Sequence, residues 1–325
     1  MNILVTGGAG YIGSQTVLAL LAKNHTVIVL DNLSKGHKEV VPEGVSLEIA
    51  DLNHKKSFRS IFEKYQIDGV IHFAGSIEVA ESQVDPQVYF RNNTSASLNL
   101  LEVMREFKVK NIVFSSTAAT YGLPKVVPIL ESSELSPINT YGRSKLMTEQ
   151  MLRDFSRSYS FNTLCLRYFN ACGADKLGRC GEMHEPETHL IPNILKSVIN
   201  GTEVTVFGTD YNTFDGTCVR DYIHTMDLAD AHVLAIEKLI NHTGEAFVES
   251  INLGTKSGYS INQIIDTVEK VTDRKVNKVY GTRRAGDPDM LVADNSKAKE
   301  LLNWTPKYSD LENIIQTAWN WHLKH

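Results

Sequence analysis

Thr6-Gly7-Gly8-Ala9-Gly10-Tyr11-Ile12-Gly13 follows the apolar run Ile3-Leu4-Val5 and precedes a segment of helical periodicity. Glycines at 7, 10 and 13 permit a tight turn, close approach of backbone to a bound phosphate, and close packing of a helix on a sheet. A helix opening at Tyr11 offers that phosphate its unpaired N–H groups and the positive end of its dipole. A glycine pattern alone says little. This one lies between a strand and a helix, and Asp31 ends the next apolar run at a spacing suited to gripping the ribose hydroxyls of a dinucleotide. An acid at 31 repels the extra phosphate of NADP and favours NAD, while Lys35 nearby leaves NADP open.

Outward from this turn, short β-branched runs at 3–5, 27–30, 47–49, 70–73, 112–114 and 163–166 alternate with helical patterns at 11–23, 55–65, 86–107 and 141–159. Strands that are continuously apolar belong to a sheet covered on both faces. The spacing therefore predicts an α/β fold, a Rossmann-type doubly wound parallel sheet. After Phe169 the texture changes to longer loops at 173–192 and 208–217, with helical signals at 227–239, 262–271 and 311–323 and a short strand at 250–253. We expect an NAD-binding domain over 1–170, with a returning segment near 218–245, and a smaller, discontinuous α/β substrate domain over 171–325.

With 325 residues, 42% hydrophobic and 22% charged, the chain has the make-up of a globular protein with a sizeable core. The 33 basic and 38 acidic residues leave a net charge of -5, so no basic field invites nucleic acid and no polybasic run invites a membrane surface. No apolar run is long enough to span a bilayer, and the first residues lead straight into the glycine turn without room for a signal peptide. The expected location is the cytoplasm. Cys165, Cys172, Cys180 and Cys218 lack paired Cys-x-x-Cys spacing, which favours reduced thiols over disulfides or zinc. His72, His224 and His232 fall in no His-x-x-x-His or His-Glu-x-x-His pattern; they are read as structural, and no metal is expected.

Tyr141-Gly142-Arg143-Ser144-Lys145 places a phenol and an ammonium on one face of a helix. A cation beside the phenol, together with the positive ring of an oxidised nicotinamide, favours phenolate and draws a tyrosine down from ~10. Tyr141 is thereby a candidate general base for a sugar hydroxyl. The spacing is also that of an ordinary surface pair. The glycine turn and the strand end Ser115-Ser116-Thr117, with hydroxyls where open parallel sheets bind ligands, favour chemistry. Asp51-Leu52, past the third apolar run, suits either an adenine contact or a solvated loop.

These motifs, with Asp31-Asn32, Phe73-Ala74-Gly75 and Arg167-Tyr168-Phe169-Asn170, resemble the extended short-chain dehydrogenase/reductase superfamily. Downstream, Glu187-Thr188-His189-Leu190-Ile191-Pro192, Phe207-Gly208-Thr209-Asp210-Tyr211, the run at 215–224 and Arg283-Arg284-Ala285-Gly286-Asp287-Pro288 narrow the likeness to the UDP-glucose 4-epimerase family, over essentially the whole chain. The resemblance implies NAD held by Gly7, Gly10, Tyr11, Ile12, Gly13, Asp31, Asn32, Asp51, Leu52, Phe73, Ala74, Asn92, Ser115, Tyr141, Lys145 and Tyr168. It implies Thr117, Tyr141 and Lys145 as the catalytic set. A UDP-sugar substrate would be held by Thr117, Asn170, His189, Leu190, Phe207, Arg220, Arg284, Asp287 and Leu291. Arginines suit this role because a planar fork of donors meets a pyrophosphate in bidentate fashion. Ile77 stands where some members place a lysine, which removes one cofactor contact; Thr117 stands where many have serine and preserves the hydroxyl.

The implied activity is reversible inversion at C4 of a UDP-hexose, between UDP-galactose and UDP-glucose, through a transient 4-keto sugar. Leu291, where tyrosine accompanies narrow specificity in the family, leaves room for UDP-N-acetylhexosamines or packs at the domain interface. A nucleotide-sugar 4,6-dehydratase or decarboxylase on the same scaffold is the alternative. Those enzymes keep carboxyl groups after the strand-end threonine, where this chain has Ala118 and Ala119. A non-catalytic NAD-sensing protein is a further alternative, against which the intact Thr117, Tyr141 and Lys145 count. The superfamily implies a homodimer paired through the helices at 86–107 and 141–159.

Overall fold

The structure, a computed structural model, describes residues 1–284 and 287–325; Ala285 and Gly286 of the arginine-containing motif lie outside the described residues. The first half alternates strand and helix as its apolar runs predict. β1 (Asn2–Thr6) leads into α1 (Tyr11–Ala22), β2 (Thr26–Asp31), β3 (Ser46–Ile49), α2 (Lys55–Lys64) and β4 (Gly69–His72). Two short helices, α3 (Val79–Val84) and α4 (Pro86–Tyr89), precede α5 (Ala96–Glu106), β5 (Asn111–Thr117), α6 (Thr140–Tyr159) and β6 (Asn162–Tyr168). There follow β7 (Asn170–Cys172), α7 (Leu190–Asn200), β8 (Val204–Phe207), β9 (Val219–Arg220) and β10 (Tyr222–His224). Then come α8 (Thr225–Ile240), β11 (Val248–Leu253), β12 (Tyr259–Ser260), α9 (Ile261–Thr272), β13 (Lys278–Gly281), β14 (Met290–Leu291), α10 (Ser296–Leu302) and α11 (Leu311–His322).

A seven-stranded sheet runs in the order β11-β6-β5-β4-β1-β2-β3, with every pairing parallel. Because successive side chains point to opposite faces, Ile3 and Val5 pack with Val17, Leu20, Leu228 and Ala235, while Leu4 packs with Phe58, Leu100, Met104 and Leu152. Each such aliphatic chain taken out of water is worth ~1.5–3 kcal/mol. A charge at Leu4 would forfeit that and strand an unpaired ion between sheet and helices. Strand order reverses at β1 and β4, and the carboxyl ends beside that switch form the crevice where open parallel sheets take ligands. The strand expected at 250–253 proves to be the edge of this same sheet. β11 pairs with β6 from Val248↔Thr163 to Leu253↔Tyr168, so the returning segment runs past 245.

The helix expected over 86–107 is a continuous helical run widened by a π turn at Phe90–Ser95, between α4 and α5. Beyond the sheet, a second core gathers Ile191, Ile194, Leu195, Val206, Ile264, Ile265, Val268, Ile314 and Ile315 from α7, β8, α9 and α11. The loop expected at 173–192 gives way to α7 at Leu190, whose apolar residues at 191, 194, 195 and 198 share one buried face. The four cysteines are free and buried. No helix among the described residues is long and apolar enough to cross a membrane.

Candidate active site

The glycine turn is built so that side chains have no room. Gly7 adopts φ +72°, and a Cβ on it would lie 2.6 Å from the Ala74 nitrogen; a Cβ on Gly13 would lie 2.1 Å from the Gly7 carbonyl oxygen. Gly10 caps α1 without a side chain over the first turn, so its N–H groups are free to meet a phosphate. Asp31 is held by two backbone donors, Ala9 N–H to Oδ2 at 3.0 Å and Leu33 N–H to Oδ1 at 2.9 Å. The Lys35 ammonium is engaged by Glu78 at 3.5 Å and the Glu185 carbonyl at 3.3 Å.

The neighbouring residues line the same turn. Asp51 accepts from Asn53 N–H at 2.8 Å and Asn32 Nδ2 at 3.3 Å. Burial works to raise its carboxyl, and these hydrogen bonds outweigh burial and hold it below the usual range. Leu52 is buried, and Asn92 links Asn53 to Ser76 through 3.0 Å bonds. Ala74 N–H donates to the Thr6 carbonyl at 3.1 Å, and the Phe73 ring stands 4.6 Å from that of His232. The Tyr11 hydroxyl donates to the Gly173 carbonyl, tying the turn to the loop after β7, and Ile12 packs on the core. A cradle that any Cβ would fill, an open helix N-terminus and a fixed carboxylate fit NAD.

Tyr141 and Lys145 enter from α6, which Asn139 caps by accepting from Gly142 N–H at 2.8 Å. The Lys145 ammonium donates to the Ser115 carbonyl at 2.9 Å and lies 5.0 Å from the Phe114 ring centroid. Burial lowers its pKa to about 8. Burial pushes the Tyr141 phenol up, with a hydrogen bond from Thr117 pulling the other way. The depression expected of Tyr141 is therefore not a property of the protein by itself, because burial of the phenol outweighs the groups that favour phenolate. Tyr168 shares a hydrogen bond with Ser115 Oγ and is raised by burial and by the Tyr141 charge. Ala118 and Ala119 open the tight turn at Ala118–Tyr121 and bring no acid to it.

Sequence reading missed Asn93. In the π turn its side chain donates to Ser144 Oγ at 2.9 Å and to the Ser76 carbonyl at 3.0 Å, and accepts from Ser76 N–H at 2.7 Å. It thus joins the Tyr141 helix to the turn after β4. The four consecutive polar residues Asn92-Asn93-Thr94-Ser95, which break the apolar spacing of the helical run, are the signal that could have found it.

Most of the residues expected to hold a nucleotide-sugar lie on or beside the elements of the second core. Arg220 on β9 donates from Nη1 to the Val219 and Pro288 carbonyls at 2.9 Å each, with Nη2 3.8 Å from Asp287 Oδ1. Arg284 lies over the Phe207 ring at 4.0 Å, and Leu291 pairs with Arg220 across β14 and β9. A cleft of about 700 Å³ opens between Leu123, Pro124 and Val127 on one side and Arg283, Arg284 and Asp287 on the other. Asn170 donates from its backbone and side chain to the Asp221 carbonyl at 3.1 and 2.9 Å. Leu190 opens α7 directly after His189.

His189 belongs to a group that sequence reading did not see. Glu182, His184, Glu187 and His189 bring ligand-type atoms within 4.8 Å of one another. The signal is the alternation Glu-x-His-x-x-Glu-x-His, which a search for paired histidines passes over. Burial alone would lower His189, but hydrogen bonds to Glu182 and Glu187 raise it to about 10, so an imidazolium balances the carboxylates. His72, His224 and His232 are buried, and burial holds each well below the ordinary imidazole value. Burial takes His72, between Thr6 Oγ1 at 2.7 Å and Ser97 Oγ at 2.8 Å, down to about 3. His224 and His232 fall to about 4 for the same reason.

Comparison with known proteins agrees with this geometry. The sequence pattern of the NAD dependent epimerase/dehydratase family matches residues 3–254. A UDP-glucose 4-epimerase from Rhizobium meliloti (strain 1021) is 48% identical over 324 residues, covering 99% of this chain and 97% of that protein. The crystal structure of UDP-glucose 4-epimerase from Brucella ovis in complex with NAD superposes with a TM-score of 0.95 at 44% identity, covering 98% of this chain and 97% of that one. The enzyme of that name from Bifidobacterium longum, in complex with NAD+ and UDP, gives a TM-score of 0.92 at 38% identity, covering 100% and 99%. The chain therefore belongs to the NAD dependent epimerase/dehydratase family, on the branch of the UDP-glucose 4-epimerases.

Proposed function

We propose that this protein interconverts UDP-galactose and UDP-glucose by inverting C4 of the hexose through a transient 4-keto sugar, with NAD as its cofactor. The observation that carries the reading is the Tyr141–Lys145 face of α6, fastened to the carboxyl end of β5 at 2.9 Å within the sheet that also bears the glycine cradle. NAD held there would supply the hydride acceptor for C4 and, once reduced, the donor that returns hydride to the opposite face of the keto sugar.

The chain's own residues do the rest. The α1 N-terminus meets the cofactor pyrophosphate and Asp31 its ribose, with Asn32, Asp51, Leu52, Phe73, Ala74, Asn92, Ser115 and Tyr168 around it. Thr117 Oγ1 and Tyr141 Oη orient the C4 hydroxyl, and Tyr141 Oη takes its proton and later gives it back. A buried phenol becomes a base only with positive charge beside it, and Lys145 and the oxidised dinucleotide are the cations of this site. Arg220 and Arg284 grip the UDP pyrophosphate, Phe207 stacks on the base, and Asn170, His189, Leu190, Asp287 and Leu291 complete the enclosure. Holding the nucleotide firmly leaves the hexose free to turn over, because remote binding energy anchors it.

The seven-stranded body, formed by about the first 170 residues and a segment returning through β10, α8 and β11, holds the cofactor, and the remainder carries the nucleotide-sugar. Exposed Phe90, Leu98 and Met147 on the run from α4 to α5 and on α6 support pairing of two copies as a homodimer. Reduced buried cysteines suit the cytoplasm. Incubation with UDP-galactose, UDP-N-acetylgalactosamine and UDP-xylose, followed by separation of products, tests the reading; release of a 4-keto-6-deoxy sugar or accumulation of free NADH would overturn it.

A further inference from the structure

Glu149 lies two helical turns beyond Tyr141 and one beyond Lys145, so all three share a face of α6. Its carboxylate is wholly buried, and it accepts from Ser116 Oγ at 2.5 Å, from Arg167 Nε at 2.8 Å and from Arg167 Nη2 at 2.5 Å. Arg167, 1% exposed, spends its third arm on the Tyr121 hydroxyl at 2.9 Å, which in turn donates to Asn252 Oδ1 at 2.6 Å. Ser250 Oγ reaches the same carboxylate at 3.3 Å. One ion pair thus links α6, β5, β6, β11 and the turn after Thr117.

Each anchor is the chain neighbour of a residue in the proposed site. Ser116 stands between Ser115, whose carbonyl holds Lys145, and Thr117; Arg167 precedes Tyr168, whose hydroxyl meets Ser115. Tyr121 ends the turn that Thr117 caps. A fully buried ion pair is a poor device for stability alone, since apolar residues of similar volume do as well or better once desolvation is counted. What a bidentate fork supplies and an apolar contact does not is a fixed register.

We propose that the Glu149–Arg167 pair positions the reaction centre: it sets where along β5 and β6 the Tyr141–Lys145 face of α6 sits, without touching substrate or cofactor. This rests on the epimerase reading of the site. A displacement of the phenol by an ångström costs turnover far more than it costs binding, because the nucleotide is held by residues of the other core.

The test compares wild type with Glu149→Gln, Arg167→Lys and the apolar double variant Glu149→Leu/Arg167→Met, using UDP-galactose. The double variant relieves the buried charge of either single change and is expected to fold, to keep its NAD and to hold KM within ~3-fold, while kcat falls ~10–100-fold. Arg167→Lys keeps the charge but not the fork and is expected to lose kcat as well. A double variant with kcat near wild type overturns the proposal. So does a loss that appears in KM rather than kcat, or a double variant that fails to fold, since the pair then serves binding or the fold itself. A wild type that does not turn over UDP-galactose removes the epimerase reading and the proposal with it; an active wild type beside an equally active double variant removes the proposal alone.

Discussion

The Lys145 ammonium donates to the Ser115 carbonyl at 2.9 Å while the residue is only 2% exposed, so the lysine of the proposed site is also a fastener between α6 and β5. Burial brings its pKa to about 8, which makes the charge itself conditional on pH. Above that value the neutral amine predominates, and a contact that needs the cation is lost. NAD affinity of the cofactor-stripped protein is expected to fall as pH rises from 7 to 9.5, and Lys145→Arg, weaker overall, is expected to show no such slope. Fluorescence titration with NAD measures it; equal slopes in the two proteins would refute the assignment.

Replacing Tyr141 by Phe removes the only atom proposed to move the C4 proton and leaves the ring packed beside Tyr89. Turnover is expected to drop ~10²–10⁴-fold with KM for UDP-galactose little changed. Because burial raises the wild-type phenol, kcat is expected to climb with pH on the acid side. Steady-state kinetics from pH 6 to 9 reads both effects.

At Gly13 a methyl group would stand 2.1 Å from the Gly7 carbonyl oxygen, against backbone that cannot swing aside. Gly13→Ala is expected to open the turn, cost ~1–3 kcal/mol of stability and abolish co-purification of NAD. The absorbance ratio of the purified variant and a denaturant melt check it; a variant that retains cofactor at wild-type stoichiometry shows the turn to be looser than its contacts imply.

The sheet is legible in the sequence because its strands are apolar on both faces and its first turn needs glycine. β11 is harder to place, since nothing local in Ser250–Leu253 says that its partner is β6 rather than a strand of the second layer. That layer hides for a simpler reason: β9, β12 and β14 are two residues long, too short to show a period. The Tyr141–Lys145 pair is visible as a spacing within one helix. Asn93 to Ser144, and Glu149 to Arg167, are long-range polar contacts whose only trace is a polar residue where an apolar one would be expected.

His72, His224 and His232 are buried and depressed to about 3, 4 and 4. Unfolded, each protonates near ~6.5; folded, each resists until the lower value, so between these limits the unfolded chain binds more protons and stability falls with acid. The stability each contributes is present above ~6.5 and is lost as pH drops toward 4, by about 3 kcal/mol per histidine. Urea melts between pH 7 and 4 are expected to show a steep decline, and His72→Gln, which keeps partners for Thr6 and Ser97, a shallower one.

Leu291 lies half-buried on β14, paired with Arg220 beside the proposed pyrophosphate grip. Leu291→Tyr is expected to lower kcat/KM for UDP-N-acetylgalactosamine relative to UDP-galactose by ~10-fold, a steric penalty of ~1–3 kcal/mol. An unchanged ratio would mean that this side chain does not wall the sugar.

Because β11 completes the sheet at the open edge of β6, the ribosome releases this edge strand long after its neighbour. All of β7 through α8 must be synthesised in between, a delay on the order of seconds, during which β6 is a bare hydrogen-bonding edge on the nascent chain. Translation stalled before residue 253 should leave a chain that recruits holding chaperones or pairs with its own copies, whereas release a short way beyond that point should let the sheet close.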